Sequence, residues 1–424
     1  MTLKISYGET PPMTAAETIS GVQGKMDGKK ARIYTASEFK AMVRNGSRPT
    51  TNEVDAITCG TMGVMSGTMA VMTVPVTNPG VFKHAESIKM NGVPGNVGPC
   101  PNESLGIVDC IFYGTSRRDH RYGGGHLFRD LVAGKPVEVE VISEGKTYVN
   151  VITLAAIPFA RMILTRGAFK NYTCFVNGSE SEARTIFSGP KPLGSGLSEA
   201  SVSGCGEINP IQNDPELRYL RPGASVMLNG APGMIIGTGT RSTAEKPNLS
   251  IAADMHLMRA DFMGGFRTSE GPECLTSVAA AIPILNDAML DSASVLDEDV
   301  ALPIADVVDR IPVSKDDYGS VWGNGTAVSR DMTKCLHCNN CLADSLCPTD
   351  AFPSGEWDLT RCISCGFCVS RCRGKVFTAH MGSVNFNGNE VPIVIRQSSR
   401  KRAEELCDLL KTKIMEGKWR LKVF

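Results

Sequence analysis

The chain has 424 residues, of which 42% are hydrophobic and 21% are charged, proportions that suit two or three globular domains with a sizeable core. Its 44 Lys and Arg balance its 44 Asp and Glu, so nothing in the charge favours a nucleic-acid or membrane partner. Apolar runs such as residues 278–285 are too short to span a bilayer, and no apolar signal core precedes Pro11, so we expect a cytoplasmic protein.

The first 328 residues contain short apolar runs of two kinds. Runs rich in Val and Ile and bounded by Gly, Asn or Pro predict strands, whereas apolar residues at helical spacing predict helices. We therefore expect a mixed α/β body, with an α+β arrangement left open. The predicted helices cover residues 36–43, 126–132, 157–164 and 275–289. The predicted strands cover residues 54–58, 107–113, 137–142, 148–154, 225–228, 234–236 and 249–252.

A Gly-rich and polar stretch at 319–329 predicts a domain boundary. We place the body at 1–328, a cysteine-rich domain at 329–381 and a tail at 382–424. The tail is predicted to form a strand at 391–396 and a helix at 400–415.

The predicted tail helix has one apolar stripe, which indicates a buried face. Its start is basic. We interpret these charges as a solvated helix end or, alternatively, as a docking patch for an acidic electron donor. The basic residues are Arg396, Arg400, Lys401 and Arg402.

Eight of the 15 cysteines lie between residues 335 and 372. In a long cytoplasmic chain this density indicates metal binding instead of disulfides. Two C-x2-C-x2-C runs each place three thiolates around one cubane, and a cysteine near the other run supplies the fourth ligand. Zinc is the alternative, but zinc sites use ligand pairs. The sequence thus predicts a bacterial-type ferredoxin-like domain with two [4Fe–4S] clusters. Their ligands are Cys335, Cys338, Cys341 and Cys372 for one cluster, and Cys362, Cys365, Cys368 and Cys347 for the other.

The cysteines of the body fall into two groups. Cys205 lies between glycines, and a thiol on such a turn is expected to be accessible, beside open backbone amides that lower its pKa. We favour a functional role for Cys205 and leave the roles of Cys59 and Cys100 open. Three further cysteines outside the two runs lie in apolar strand-like runs or near the stripe of the tail helix and are predicted to pack in the core. They are Cys110, Cys174 and Cys407.

A basic turn precedes the predicted helix at His126. Arg117, Arg118 and Arg121 crowd this turn, and three glycines follow it. Arginine side chains and helix N-termini both favour anions, so the turn is predicted to hold a sulfonate, carboxylate or phosphate, with a solvated loop as the alternative. A second Gly-rich stretch carries Arg241, but it lacks the dinucleotide and P-loop fingerprints.

Several strings of the body are long and specific. They are Tyr122-Gly-Gly-Gly-His126, Asp130-Leu-Val-Ala-Gly134, Ser203-Gly-Cys-Gly-Glu-Ile-Asn-Pro210, Gly237-Thr-Gly-Thr-Arg-Ser242, Glu245-Lys-Pro-Asn248, Ala253-Asp-Met-His256 and Phe262-Met-Gly-Gly-Phe266. They resemble the archaeal homocysteine-biosynthesis family, whose activity is sulfur transfer to aspartate semialdehyde. With the C-terminal cysteine runs, the whole chain resembles the methanogenesis marker 16 metalloproteins. That branch is associated with coenzyme M formation, in which sulfoacetaldehyde, a sulfur donor and two electrons give 2-mercaptoethanesulfonate.

The resemblance implies reductive sulfur transfer to an aldehyde through a cysteine persulfide. Cys205 is expected to act as nucleophile or sulfur carrier, with Cys59 or Cys100 as the partner thiol. His126 or His256 is the expected acid or base. The arginines Arg117, Arg118, Arg121 and Arg241 are expected to bind the substrate anion.

The implied partners are a small anionic aldehyde, a sulfur donor and a low-potential electron donor, and a homo-oligomer is left open. One alternative is homocysteine formation from aspartate semialdehyde. An alternative of another class is a non-catalytic electron carrier or a metalloenzyme assembly factor.

Overall fold

The computed structural model describes residues 18–98, 100–168, 173–322, 325 and 327–422 of the protein. Within these residues the chain forms strands and α-helices, and none of the helices is long and apolar enough to cross a membrane. The helices are α1 (Ile19–Asp27), α2 (Ala36–Arg44), α3 (Gly124–Val132), α4 (Pro210–Asn213), α5 (Asp287–Ser294), α6 (Gly319–Trp322), α7 (Leu342–Ser345), α8 (Phe367–Arg371) and α9 (Arg400–Met415).

The strands of the body and tail belong mainly to two sheets. They are β1 (Ile33–Thr35), β2 (Ala56–Val64), β3 (Thr68–Pro75), β4 (Ser87–Met90), β5 (Val93–Val97), β6 (Ile107–Tyr113), β7 (Val137–Ser143), β8 (Lys146–Ile152), β9 (Phe159–Leu164), β10 (Cys174–Val176), β11 (Ala200–Val202), β12 (Ser225–Leu228), β13 (Ala231–Thr238), β14 (Leu249–Asp254), β15 (Gly264–Arg267), β16 (Pro272–Pro283), β17 (Ala301–Asp306), β18 (Pro312–Asp317), β19 (Ser329–Arg330), β20 (Phe377–Thr378), β21 (Ser383–Phe386) and β22 (Asn389–Arg396).

The larger sheet is mixed and mostly antiparallel. Over the described residues its order is β1-β2-β16-β12-β13-β14-β9-β3-β6-β5-β4-β7-β8, and β15 pairs with β16. The central pair, β2 and β16, is almost completely buried, whereas β3 alternates buried and half-buried residues. This difference follows from the covering of the sheet: α9 packs on both central strands, and α3 also contacts β16.

The smaller sheet has the order β18-β17-β10-β11-β22-β21, so a strand of the tail lies beside strands of the body. Residues 396–399 then connect three parts of the molecule. The backbone N–H of Arg396 donates to Cys365, that of Gln397 donates to Val202 in β11, and that of Ser399 donates to Met62 in β2, at 2.8, 2.8 and 3.0 Å. The mixed α/β class, the tail strand and the tail helix are confirmed.

Two predicted helices are wrong. Residues 157–164 form mainly the strand β9, and residues 275–289 contain most of β16 followed by the start of α5. A strand that is buried on both faces shows a continuous apolar run, and periodicity alone does not separate such a run from a buried helix.

The basic start of the tail helix is neither a solvated helix end nor a docking patch. Arg396, Arg400 and Arg402 are buried, and only Lys401 is substantially exposed. Arg400 forms ion pairs with Glu207, at 2.9 Å, and with Asp297. Buried guanidinium groups need such partners, which explains why acidic residues of the body face this helix.

The cysteine-rich segment folds around a small apolar core of its own. Strands β19 and β20 pair with each other, and the short helices α7 and α8 contact one another. The core residues are Val328, Ala343, Cys347, Ala351, Phe352, Val376 and Phe377.

Candidate functional site

Four cysteines of the segment lie close enough for their thiols to interact. Burial raises the pKa of the Cys365 thiol well above its ordinary value, and Cys347, Cys368 and Cys362 raise it further. Backbone N–H groups point at two of the sulfurs, from Ala351 to Cys347 Sγ at 3.3 Å and from Ser364 to Cys362 Sγ at 3.5 Å. Thiolates that raise one another's pKa suit iron, because the metal's positive charge removes their repulsion.

These four cysteines are the ligand set predicted for one cluster. The other predicted set is more exposed: Cys338 and Cys341 lie at the surface, whereas Cys335 and Cys372 are half-buried and pack against the segment's core. Over the described residues no three His, Cys, Asp or Glu side chains approach closely enough to share one metal ion. Both ligand sets therefore stay predictions, and the set that contains Cys347 and Cys365 is the more buried of the two.

A cavity of about 110 Å³, which we name the His126 cavity, lies between the body and the cysteine-rich segment. The body contributes α3 and β15, and the segment contributes residues next to two predicted cluster ligands. The polar residues of its wall are Tyr122, His126, Arg129, Asp130, Lys135, Asp261, Thr349, Asp350, Thr360 and Arg361.

His126 lies in the first turn of α3, and its ring is stacked on Tyr122 with 5.5 Å between centroids. The backbone N–H of Gly123 donates to His126 Nδ1 at 3.3 Å, which assigns the proton of the neutral ring to Nε2. Nε2 is buried without a hydrogen-bond partner in the described chain and lies 3.6 Å from Asp350 Oδ2. The ring therefore has a free donor, and Gly265 must lack a side chain because a Cβ there would lie 2.0 Å from Nδ1.

The prediction that Cys205 is accessible and has a lowered pKa is wrong. The residue is fully buried, and burial raises the pKa of its thiol. The amides around it are also engaged, since Gly204 N–H donates to Ser398 Oγ at 2.7 Å and Glu207 N–H donates to Asp297 Oδ1 at 2.8 Å. The glycines do form a turn, but the start of the tail helix covers it.

Cys205 nevertheless borders a small cavity of about 20 Å³, together with Thr61, Ser203, Tyr318 and Ser398. Its sulfur lies 3.7 Å from the carbonyl oxygen of Met62, a residue that lines the His126 cavity. Neighbouring residues of strand β2 therefore line the two cavities, Met62 the His126 cavity and Thr61 and Gly63 the smaller one.

The other predicted thiols lie in different places. Cys59 is buried, and burial raises its pKa to about 12, although Lys40 nearby lowers it. Cys407 of α9 interacts with both Cys59 and Cys205, so three thiols form one buried group. Cys100 is half-buried outside this group, and its hydrogen bond with Asp109 raises its pKa. The predicted core positions of Cys110, Cys174 and Cys407 are confirmed.

The four predicted substrate arginines do not share a site. Arg117 donates to the carbonyl of Glu270 and lines a separate open cavity of about 620 Å³. Arg118 pairs with Asp119 at 2.9 Å, and its guanidinium lies 4.7 Å from the centroid of Tyr122. Arg121 is exposed near Arg267, and Arg241 is exposed in a turn. None of them lines the His126 cavity.

His256, the alternative acid or base, is held outside the His126 cavity by two contacts, with Asp254 Oδ1 and with the carbonyl of Ile157, both at 2.8 Å. The sequence reasoning missed Arg129, Arg361 and Asp350. The sequence alone could have indicated Arg129, because residues three apart lie on one face of a helix and His126 is a candidate site residue. It could not have indicated Arg361 and Asp350, since only the tertiary fold brings them to α3.

Comparisons with known proteins give the chain a family. The model of the family described as "Homocysteine biosynthesis enzyme, sulfur-incorporation" matches residues 31–421. A protein of Methanothermobacter thermautotrophicus, described as uncharacterized, is 45% identical over 91% of this chain and 90% of its own length. No solved structure matches.

Two proteins named L-aspartate semialdehyde sulfurtransferase are more distant. That of Methanosarcina acetivorans is 27% identical over 68% of this chain and 58% of its own length, and that of Methanocaldococcus jannaschii is 28% identical over 75% and 66%. These matches confirm the family indicated by the strings around His126 and Cys205: the chain belongs to the sulfur-incorporating homocysteine biosynthesis enzymes.

Proposed function

We propose that this protein forms a thiol by reductive sulfur transfer to a small anionic aldehyde, with sulfoacetaldehyde as substrate and 2-mercaptoethanesulfonate, coenzyme M, as product. The observation that carries the proposal is the position of the His126 cavity, between a body of a sulfur-incorporating family and the segment with the predicted cluster ligands. One small site thus adjoins both components that a reductive sulfur transfer needs.

The charges of the cavity wall support the sulfonate over aspartate semialdehyde. An amino-acid substrate needs a free carboxylate for its ammonium group, and each carboxylate of the wall already has a cationic partner. Asp130 pairs with Lys135 at 2.7 Å, Asp261 with Arg259 at 2.6 Å, and Asp350 with Arg267 at 2.9 Å. A sulfonate aldehyde has no ammonium group and therefore needs no free carboxylate in the cavity wall.

The chemistry balances with electrons from outside the chain. Hydrosulfide adds to the aldehyde carbon, and loss of water from the thiohemiacetal leaves a carbon–sulfur double bond. Two electrons and two protons convert this bond to the thiol. If the sulfur arrives as a persulfide on Cys205, cleavage of the sulfur–sulfur bond uses two further electrons and two protons and restores the cysteine thiol. The electron donor is a low-potential one-electron carrier.

The eight cysteines of the segment would hold two [4Fe–4S] clusters, which supply electrons one at a time. The more buried ligand set adjoins the body, because Arg267 donates to the carbonyl of Cys347 at 2.5 Å and Arg396 N–H donates to that of Cys365 at 2.8 Å. The exposed ligands Cys338 and Cys341 would then face the electron donor.

His126 is the group placed to act on the aldehyde. The residue lines the cavity, and its Nε2–H has no hydrogen-bond partner in the described chain, with Asp350 Oδ2 at 3.6 Å, so it would donate to the carbonyl oxygen as negative charge develops there. Stacking on Tyr122 and the bond from Gly123 hold the ring in this orientation. Cys205, whose sulfur lies 3.7 Å from the carbonyl of the cavity residue Met62, would carry the sulfur.

The test is an anaerobic assay of the purified protein with sulfide, a strong reductant and each aldehyde in turn, with thiol products identified by mass. We expect 2-mercaptoethanesulfonate from sulfoacetaldehyde. Homocysteine from aspartate semialdehyde alone would favour the alternative substrate. No thiol from either aldehyde, in protein with full cluster content, would favour the electron carrier or assembly factor.

We expect about eight iron and eight acid-labile sulfide per chain after anaerobic purification, because both predicted ligand sets are complete. Iron and sulfide analysis of the purified protein measures this ratio. About four iron per chain, or stoichiometric zinc, would contradict the two-cluster assignment.

Replacing His126 with glutamine is expected to lower kcat for thiol formation about 100-fold. This is the low end of the range for general acid catalysis, because the amide still donates a hydrogen bond but cannot transfer a proton. His256→Gln is the matched control, since that ring lies outside the cavity, and it should leave kcat unchanged. Equal kcat values for His126→Gln and the unmodified protein would remove His126 from the mechanism.

A further inference from the structure

We infer that Arg129 and Arg361 together form the binding site for the anionic end of the substrate, so that the cysteine-rich segment supplies part of the substrate site. This inference rests on the proposed function for the identity of the substrate, but the binding itself is tested without turnover. It replaces the basic turn of Arg117, Arg118 and Arg121 as the anion site.

The two arginines line the His126 cavity from different parts of the chain. Arg129 lies on α3 three residues after His126, so both side chains project from one face of the helix. Arg361 belongs to the cysteine-rich segment and directly precedes the predicted ligand Cys362. An anion held between them would lie within the same small cavity as the His126 donor.

The bonds of Arg129 leave its charge without a direct partner. Its Nε donates to the carbonyl of Ala260 at 3.1 Å, and one terminal nitrogen donates to Thr360 Oγ1 at 3.0 Å. Both acceptors are neutral, and among the described residues no carboxylate forms an ion pair with this guanidinium. The bonds fix its orientation, and the positive charge remains available to a ligand.

The two guanidinium groups also repel each other. Burial lowers the pKa of Arg129, and the positive charge of Arg361 lowers it further, although Asp358, Asp130 and Asp261 act in the opposite direction. Arg361 pairs with Asp358 at 3.1 Å, and within the described residues this carboxylate forms no ion pair with Arg129. An anion between the two groups would relieve the repulsion and accept charge-assisted hydrogen bonds from both.

The size of the cavity limits the ligand. About 110 Å³ is somewhat less than the roughly 150 Å³ that accommodates benzene in an engineered cavity. The occupant is therefore a small anion, and a two-carbon sulfonate aldehyde is smaller than a four-carbon amino acid aldehyde.

The test measures binding of 2-hydroxyethanesulfonate, an unreactive alcohol analogue of sulfoacetaldehyde, by anaerobic calorimetry on the protein with its clusters intact. We expect Arg129→Gln and Arg361→Gln each to weaken binding about 10- to 100-fold, as loss of a charge-assisted hydrogen bond does. Arg373→Gln, an exposed arginine of the same segment, is the matched control and should bind like the unmodified protein.

Cluster absorbance and thermal unfolding show whether each variant is folded. If Arg129→Gln does not fold, the affinity of Arg361→Gln decides the test. Unchanged affinity in the folded variants, or a loss in Arg121→Gln instead, would overturn the assignment. Failure of the proposed function looks different: the sulfonate would bind through both arginines, yet no thiol would form from the aldehyde.

Discussion

Replacing Cys205 with serine is expected to abolish thiol formation from sulfoacetaldehyde, while the visible absorption of the clusters stays unchanged. Serine keeps the shape of the side chain, and its hydroxyl can donate to the Met62 carbonyl that the thiol now faces at 3.7 Å. A hydroxyl oxygen, however, cannot carry a transferable sulfur atom. The measurement is the rate of thiol formation in the anaerobic assay, alongside the cluster spectrum.

Cys110→Ser is the matched control for this variant. Cys110, in strand β6, is also buried, and its sulfur also faces a carbonyl, that of Met72 at 3.5 Å. It should lose some stability but keep its turnover number. Full turnover in Cys205→Ser would move the sulfur carrier to another thiol of the same buried group, with Cys59 and Cys407 as the next candidates.

Replacing Arg400 with methionine is expected to lower the free energy of unfolding by about 3–5 kcal/mol, the usual result of removing one partner from a buried ion pair. Methionine fills much of the same volume, so the decrease in the free energy of unfolding results mainly from the loss of the positive charge. Glu207 keeps its bidentate partner Arg44, at 2.8 and 2.5 Å, whereas Asp297 loses the one cation with which it forms an ion pair in the described chain. Denaturant unfolding under anaerobic conditions measures the change.

Lys401→Met is the control on the same helix, because its ion pair with Glu405 is long, at 3.9 Å, and exposed, so it should cost less than about 1 kcal/mol. The deficit of Arg400→Met should also depend on pH. Burial raises the pKa of Asp297, and the positive charge of Arg400 partly opposes this rise. In Arg400→Met the opposing charge is absent, so the pKa of Asp297 is expected to rise further. A raised folded pKa stabilises the protein at low pH, so the deficit should shrink as the pH falls towards the ordinary aspartate value of about 3.9. An equal deficit at pH 7 and pH 5 would contradict this account.

Local sequence patterns predicted the strands that are marked by residues close to them in the sequence. Strands β6 and β12 have the predicted bounds, since turn residues flank short apolar runs. The same reasoning failed for β16, where helices and neighbouring strands cover every residue. That covering arises from elements far away in the chain, so the sequence near β16 contains no sign of it.

The candidate site also has features that the local sequence indicates and features that depend on distant parts of the chain. The glycine pattern at Cys205 correctly indicated a turn, but the residues that bury the turn come almost 200 positions later, and burial reverses the direction of the pKa shift. His126 was a candidate because its string is distinctive, and the structure places it in a cavity. Charge density along the chain does not show that the arginines of the basic turn lie apart from this cavity or that Arg118 pairs with Asp119, because the tertiary fold decides both.

The placement of residues 396–399 has a consequence for how the protein is made. Synthesis delivers the body first and the cysteine-rich segment afterwards, and the backbone groups of Arg396, Gln397 and Ser399 then add bonds to the segment and to both sheets. The small cavity beside Cys205, which Ser398 borders, is therefore completed only after the cysteine-rich segment has been synthesised. Until then the cysteine-rich segment is not tied to the sheets through these bonds, so the order of synthesis leaves an interval in which its cysteines are reached more easily than after the tail strand has paired.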